Sequence, residues 1–314
     1  MSKELAIATY GLTKRFEGHI AVNDLDLRIR NGEVYGLIGP NGAGKTTLIK
    51  MLAMAEEPTK GEIYLNGDRL QDDSNFRLKK RIGYLPDDFP LYDDLTVWDY
   101  LDYYARLYGL KPPQRHRRLF EVLELVQLEN KTKSIISTLS RGMKQRLGLA
   151  RTIVHEPILL FLDEPVSGLD PLARQQFRQI IKILQEAGMT ILISSHVLSD
   201  LAELCTSIGI MELGFLVESA PLAELYQRLS RQQIILGTLG KMEVLQQLLS
   251  QNSLVKTWEM TSNNCLKVNF VGGEADCAKL LRSLILADIP VTQFDCRSQD
   301  LETIFLNLGH QQTS

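Results

Sequence analysis

The chain has 314 residues, 44% hydrophobic and 23% charged, a balance that excludes a disordered or fibrous protein. A formal net charge of -3 supplies no overall attraction to nucleic acid or anionic lipid, so binding has to come from local sites. Apolar runs such as Ile158 to Leu162 are far shorter than the ~20 residues of a membrane-spanning helix. The length exceeds what one hydrophobic core usually serves, which predicts two domains. Lys3 and Glu4 interrupt what would be the apolar part of a signal peptide, so the expected compartment is the cytoplasm. Cys205, Cys265, Cys277 and Cys296 form no CxxC pair and read as reduced structural thiols.

In chain order, Ala6 to Tyr10 and Leu25 to Ile29 alternate apolar and polar residues, predicting an antiparallel β layer. Val34 to Ile38 is a β-like apolar run that leads through a glycine-rich turn into a helix over Lys45 to Met54. From about residue 90 to 155 the pattern turns helical. Thr96 and Asp99 have capping-box spacing, with Trp98, Leu101, Tyr104 and Leu107 assigned to one face. Leu119, Val122, Leu123 and Val126 form a second stripe, and Gly142 to Val154 a third helix. The strands Ile158 to Leu162 and Thr190 to Ser194, separated by a helical stretch from Leu172 to Glu186, fit a parallel crossover.

Beyond about Pro221, strands at Ile234 to Leu236, Val255 to Met260, Leu266 to Val271 and Val291 to Phe294 alternate with helices at Met242 to Ser250 and Glu274 to Ala287. A last helix is expected over Leu301 to Leu308. The βαββαβ order predicts a small ferredoxin-like α+β domain over residues 219–314, after an α/β domain over residues 1–218.

The chemistry concentrates in Gly39-Pro40-Asn41-Gly42-Ala43-Gly44-Lys45-Thr46-Thr47, a GxxxxGK[ST] phosphate loop between strand and helix. Its glycines let backbone N–H groups turn toward phosphate oxygens, the helix N-terminus adds positive potential, and Lys45 reaches the β and γ oxygens. Thr46 is the expected Mg²⁺ ligand. Downstream, the apolar strand ending at Leu162 delivers Asp163 and Glu164. Asp163 is suited to hold Mg²⁺ through water, and Glu164 to act as general base toward the attacking water.

Leu139-Ser140-Arg141-Gly142-Met143-Lys144-Gln145-Arg146 resembles the signature motif of ABC ATPases. Ser167-Gly168-Leu169-Asp170 resembles that family's D-loop, His196 its switch histidine, and Phe16 the aromatic that stacks on adenine. The resemblance covers roughly residues 4–218 and implies a phosphate-loop NTPase core carrying an antiparallel β subdomain and a helical insertion. It further implies ATP and Mg²⁺ as cofactors and a head-to-tail dimer with a second ATP-binding subunit, identical or different, in which Ser140 and Gly142 act in trans. Asp170 counts among the nucleotide-site residues, and Lys45, Glu164 and His196 among the catalytic ones.

Three positions, in two motifs, depart from the family pattern. Arg141 and Met143 stand where the commonest signature has Gly and Gln, and Asp87 stands where Gln is usual. Arg141 could contact triphosphate or point to solvent, and Asp87 could approach Mg²⁺ through a water. The aromatic helix from Trp98 to Tyr108 lies where the family receives a helix of the membrane subunit. The run Arg115, Arg117 and Arg118 reads as a solvated face, with the membrane subunit or lipid headgroups as the alternative.

The implied function is ATP hydrolysis that powers transport, export in direction, through separate membrane-spanning permease subunits. The chain is then peripheral on the inner face of the plasma membrane, with no nucleic acid partner. The rival class is a soluble ABC ATPase acting on the ribosome or DNA. One cassette and no long heptad run favour transport.

Overall fold

A computed structural model describes residues 4–70, 78–229, 232–262 and 265–298; the helix expected over Leu301 to Leu308 lies outside them. The chain divides into two compact units, Met1–Leu222 and Ala223–Ser314.

In the first unit, β1 (Leu5–Phe16), β2 (His19–Leu25), β3 (Arg28–Arg30), β5 (Lys60–Leu65) and β6 (Asp68–Arg69) form an antiparallel layer in the order β2-β1-β5-β6, with β3 also paired to β1. The expected strand over Leu25 to Ile29 is two strands, not one. Leu25, Leu27 and Ile29 all reach the core, which satisfies the alternation, but the hydrogen-bond ladder is interrupted between them. Thr9 bridges the break: its hydroxyl donates to the Leu25 carbonyl at 2.9 Å and accepts from Leu27 N–H at 2.8 Å. Periodicity reports which face is buried and says nothing of ladder continuity.

The central sheet is β11-β10-β4-β9-β8-β7, formed by β4 (Val34–Ile38), β7 (Ile82–Leu85), β8 (Leu159–Leu162), β9 (Thr190–Ser195), β10 (Ser207–Glu212) and β11 (Phe215–Pro221). It is parallel except for the β10–β11 hairpin. Every residue of β4, β8 and β9 is buried, as expected where both faces of a parallel sheet are covered. Helix α1 (Lys45–Leu52) packs Leu48, Ile49 and Leu52 into one cluster with Leu12, Val22, Tyr35 and Phe161, so one core joins both β layers. Each such side chain contributes about 1.5–3 kcal/mol on burial.

Helices α2 (Val97–Leu107), α3 (Gln114–Leu125) and α4 (Arg141–Ile153) make the helical part. Thr96 caps α2, accepting from Asp99 N–H at 3.1 Å. The buried face of α2 is Val97, Tyr100, Leu101 and Ala105, which corrects the expected Trp98–Leu101–Tyr104–Leu107 stripe. Steps of three residues drift by about 60° each around a 3.6-residue helix, and Leu107 ends 64% exposed. The α3 stripe of Leu119, Val122, Leu123 and Val126 is fully buried. Arg146 of α4 donates to the Val126 carbonyl at 2.8 Å and that of Gln127 at 3.2 Å; it thereby satisfies carbonyls at the C-terminus of α3, where a helix leaves acceptors unpaired.

The run Arg115, Arg117 and Arg118 is ion-paired, to Asp102 at 2.6 Å and to Glu121 at 2.8 and 3.5 Å. Arg118 also donates to the Ile153 and Val154 carbonyls at 2.8 and 3.1 Å. Arg115 and Arg118 thereby fasten α3 to α2 and α4, whereas Arg117 pairs within its own helix and is exposed. Helices α5 (Pro171–Glu186) and α6 (Leu198–Ala202) complete the crossovers, and α7 (Leu222–Leu229) follows β11.

The second unit contains β12 (Gln232–Thr238), α8 (Met242–Gln251), β13 (Val255–Ser262), β14 (Cys265–Phe270), α9 (Glu274–Leu286) and β15 (Val291–Ser298). Its sheet is antiparallel in the order β13-β14-β12-β15, which is the connectivity of a split βαβ unit. Leu245, Leu249, Leu280 and Leu284 from the helices cover Ile234, Leu236, Val268 and Phe270 of the strands.

Candidate active site

The phosphate loop spans the C-terminal end of β4 and the start of α1. Close approach dictates its glycines: a Cβ on Gly39 would stand 2.1 Å from the Met211 carbonyl oxygen, and one on Gly44 2.1 Å from that of Ala21. Gly44 also has φ +101°, a conformation that glycine adopts at little cost. The first turn of α1 is closed by Leu48 N–H to the Gly44 carbonyl at 2.9 Å. The preceding amides, from Lys45 to Thr47, are the donors that a helix start leaves without intrahelical partners.

Lys45 is 6% exposed. Its Nζ donates to the carbonyls of Gly39 at 2.7 Å and Pro40 at 3.2 Å, and lies 3.7 Å from Glu164 Oε1. The ammonium is thus folded back inside the loop, close to the carboxylate at the end of β8.

Asp163 is 1% exposed. Its Oδ1 accepts from Ser194 Oγ at 2.6 Å, whereas its buried Oδ2 has no hydrogen-bond partner among the described residues. Such an orphaned anionic oxygen is costly unless a cation or water completes it. Ser194 Oγ also accepts from Glu164 N–H at 3.0 Å, so one hydroxyl orients both acidic residues. Glu164 holds φ +49°, an uncommon backbone state outside glycine that recurs at functional sites. Its Oε2 lies 2.8 Å from His196 Nδ1.

A cavity of about 390 Å³ is lined by Asn41, Gly42, Ala43, Gly44, Lys45, Thr46 and Thr47, by Asp87, Glu164 and His196, and by His19, Ala21 and Ser167. The fold therefore gathers the phosphate loop, the carboxylate, the histidine and Asp87 from four separate segments. Partial burial, together with the neighbouring Asp163 and Glu164, pushes the Asp87 carboxyl above its ordinary range, and Arg141 offsets this in part. Phe16 does not line the cavity; its ring stacks on His19 at 5.5 Å between centroids, and His19 and Ala21 are the residues of that hairpin facing the space. Among the lining residues, His19 and Ala21 were missed by sequence reasoning, as was the role of Ser194, while Ser167 belongs to the segment that resembles the D-loop.

Ser140, Gly142 and Asp170 are not among the lining residues. Ser140 caps α4, accepting from Met143 N–H at 3.3 Å, and Asp170 caps α5, accepting from Ala173 N–H at 2.9 Å. A Cβ on Gly142 would stand 2.7 Å from Ala173 Cβ, so α4 and α5 approach closely at their N-terminal ends. Arg141 is exposed and does not line the cavity; its Nη2 donates to the Ser167 carbonyl at 3.1 Å and its guanidinium covers Gly168.

A glycine-rich loop that wraps an ammonium ahead of a helix, facing a strand-end Asp-Glu pair in a parallel α/β sheet, defines a phosphate-loop nucleoside triphosphatase. The family profile described as ABC transporter matches residues 22–167. The uncharacterized ABC transporter ATP-binding protein YcbN of Bacillus subtilis (strain 168) is 34% identical over 303 residues, covering 96% of each chain. The bacitracin transport ATP-binding protein BcrA of Bacillus licheniformis is 34% identical over 304 residues, again 96% of each chain. A solved dimeric bacterial ABC transporter cassette is 25% identical with a TM-score of 0.63, covering 69% of this chain and 98% of its own. The chain belongs to the ABC transporter ATP-binding proteins. It is an ATPase subunit that powers an ABC transporter.

Proposed function

We propose that two ATP-binding subunits act head to tail, with ATP between the phosphate loop of one and Ser140 and Gly142 of the other. The observation that carries this reading is the separation of Ser140 and Gly142 from the cavity holding Lys45, Glu164 and His196. A signature helix N-terminus that lies outside the phosphate-loop cavity of its own chain among the described residues is a donor surface suited to a partner's γ-phosphate. The dimeric state of the related solved cassette supports pairing of two such subunits.

Thr46, Asp163 and Asp87 are proposed to hold Mg²⁺ beside the phosphates. The unpaired Asp163 Oδ2 fits such a cation, and the scarcity of protein ligands suits an ion that keeps its waters and phosphate oxygens. Glu164 accepts the proton of the attacking water, His196 steadies the carboxylate, and Lys45 swings from the Gly39 and Pro40 carbonyls to the β and γ oxygens.

The proposed direction of transport is export, through separately encoded permease subunits at the inner face of the plasma membrane. The docking surface proposed for the permease is the aromatic helix from Trp98 to Tyr108, with the aromatics that pack beside it. Tyr92 and Tyr103 are exposed and meet edge to face at 6.0 Å, and Arg151 lies 5.2 Å over both Phe89 and Tyr104. Exposed aromatics backed by an ordered cation suit a helix-receiving groove. The second unit is proposed to regulate the ATPase or support its dimer.

The test is affinity purification of the tagged chain from detergent-solubilised membranes, with and without ATP. Recovery of a polytopic membrane protein supports the reading. Recovery of ribosomes or DNA-repair proteins without a membrane partner would overturn the coupling to a permease while leaving the ATPase chemistry intact.

A further inference from the structure

The second unit brings together two cysteines that lie 19 positions apart in the chain, Cys277 on α9 and Cys296 on β15. Their Sγ atoms are 2.6 Å apart, roughly half an ångström beyond the ~2.05 Å of a disulfide bond. Cys277 is 4% exposed and packs in the same cluster as Leu280, Leu284 and Ile234, whereas Cys296 is exposed. Cys205 and Cys265 make no comparable approach: Cys205 is buried in the first unit, and Cys265 lies 4.0 Å from Gln293 Oε1.

We propose that Cys277 and Cys296 form a reversible thiol-oxidation site, which a low-molecular-weight disulfide converts to an intramolecular disulfide. The inference is independent of the proposed dimer and permease.

Accessibility fixes the order of the exchange. Cys296 Sγ, open to solvent, attacks the small disulfide as the thiolate; one S–S bond breaks, one small thiol leaves, and a mixed disulfide forms at Cys296. Cys277 Sγ then gives up its proton, attacks Cys296 Sγ and expels the second small thiol. Two protein thiols are oxidised and one small disulfide is reduced to two thiols, which carry off both protons. Burial and the adjacent Cys296 sulfur push the Cys277 thiol up to about 12, which suits a resolving thiol that acts only once its partner is an adjacent electrophile.

The bond would staple α9 to β15, an edge strand whose ladder partner among the described residues is β12. An edge strand is the element of a sheet least held by its neighbours. Closure therefore restrains one of the two edge strands of this sheet.

The experiment uses the purified full-length chain, equilibrated anaerobically across a series of reduced-to-oxidised glutathione ratios. Free thiols are then alkylated, and tryptic peptides are read by mass spectrometry without reduction. The expected species is the peptide ending at Lys279 joined to that ending at Arg297, lighter than their sum by two hydrogen atoms and lost on adding dithiothreitol. Cys205 and Cys265 remain alkylated throughout. In Cys277→Ser the joined species disappears and Cys296 accumulates as the stable glutathione adduct. Alkylation of both Cys277 and Cys296 at every ratio would overturn the proposal, as would a glutathione adduct on Cys296 of the parent chain that never resolves.

Discussion

Arg141 Nη2 donates to the Ser167 carbonyl at 3.1 Å, and Ser167 N–H donates to the Glu164 carbonyl at 3.1 Å. The residue that opens α4 is thereby linked through two hydrogen bonds to the backbone of the proposed general base. Because Glu164 sits at φ +49°, the turn it belongs to depends on such restraints.

Arg141→Gly should leave ATP affinity unchanged and lower kcat. A lost charge-assisted bond at an exposed position is worth about 1 kcal/mol, or roughly fivefold in rate. Steady-state ATPase kinetics, with ATP binding measured separately, decide the matter. A raised Kd for ATP with unaltered kcat would mean that Arg141 serves nucleotide binding and not the turn.

Glu164→Gln should preserve ATP binding and lower turnover by ~100- to 10,000-fold, the range associated with a general base. The amide keeps the shape but cannot accept the water's proton. It should also trap the ATP-bound dimer, visible by size-exclusion chromatography with ATP and Mg²⁺. An ATPase rate near that of the parent chain would contradict the role given to Glu164.

Lys45→Ala removes the side-chain ammonium that lines the cavity among the described residues. Nucleotide affinity should weaken by about 2–4 kcal/mol, roughly 30- to 1,000-fold, as for loss of one partner of a buried charge pair. Isothermal titration with ATP reads this directly. The melting temperature without nucleotide gives the control, since a collapse of the fold would lower it as well.

What the sequence made legible was local. The phosphate loop, the strand ending in Asp163 and Glu164, and the cap at Thr96 are each specified within a few residues by spacing and residue type. The role of Ser194 was not legible. It depends on the parallel register that sets Leu162 beside Ile193, and so carries the next residue of β9 to the carboxylates. His19 became a lining residue through the β1–β2 hairpin, where it faces Phe16 across the ladder, and the sequence alone favoured the larger aromatic. Arg141 illustrates the same limit, because its partner is a backbone carbonyl 26 positions away that no spacing rule encodes. The Cys277 and Cys296 pair likewise arises from packing of a helix on an edge strand.

Asp87 offers a prediction from titration. Its carboxyl is raised by partial burial and by the nearby Asp163 and Glu164, so the folded state disfavours its charged form. A group whose folded value is raised contributes its stability fully below its unfolded value, about pH 4 for Asp, and loses it as pH rises through the raised folded value. Asp87→Asn, which carries no charge at any pH, should therefore melt at a higher temperature than the parent chain at pH 7 to 8. The gap should shrink as pH falls toward ~4, where Asp87 becomes protonated in the folded state. Arg141 opposes the rise, so the same substitution placed on Arg141→Gly should give a wider gap at neutral pH than on the parent. Melting curves of the four chains across this range test both statements. A parent chain as stable as Asp87→Asn at pH 8 would show that Asp87 is not held against its neighbours' charge.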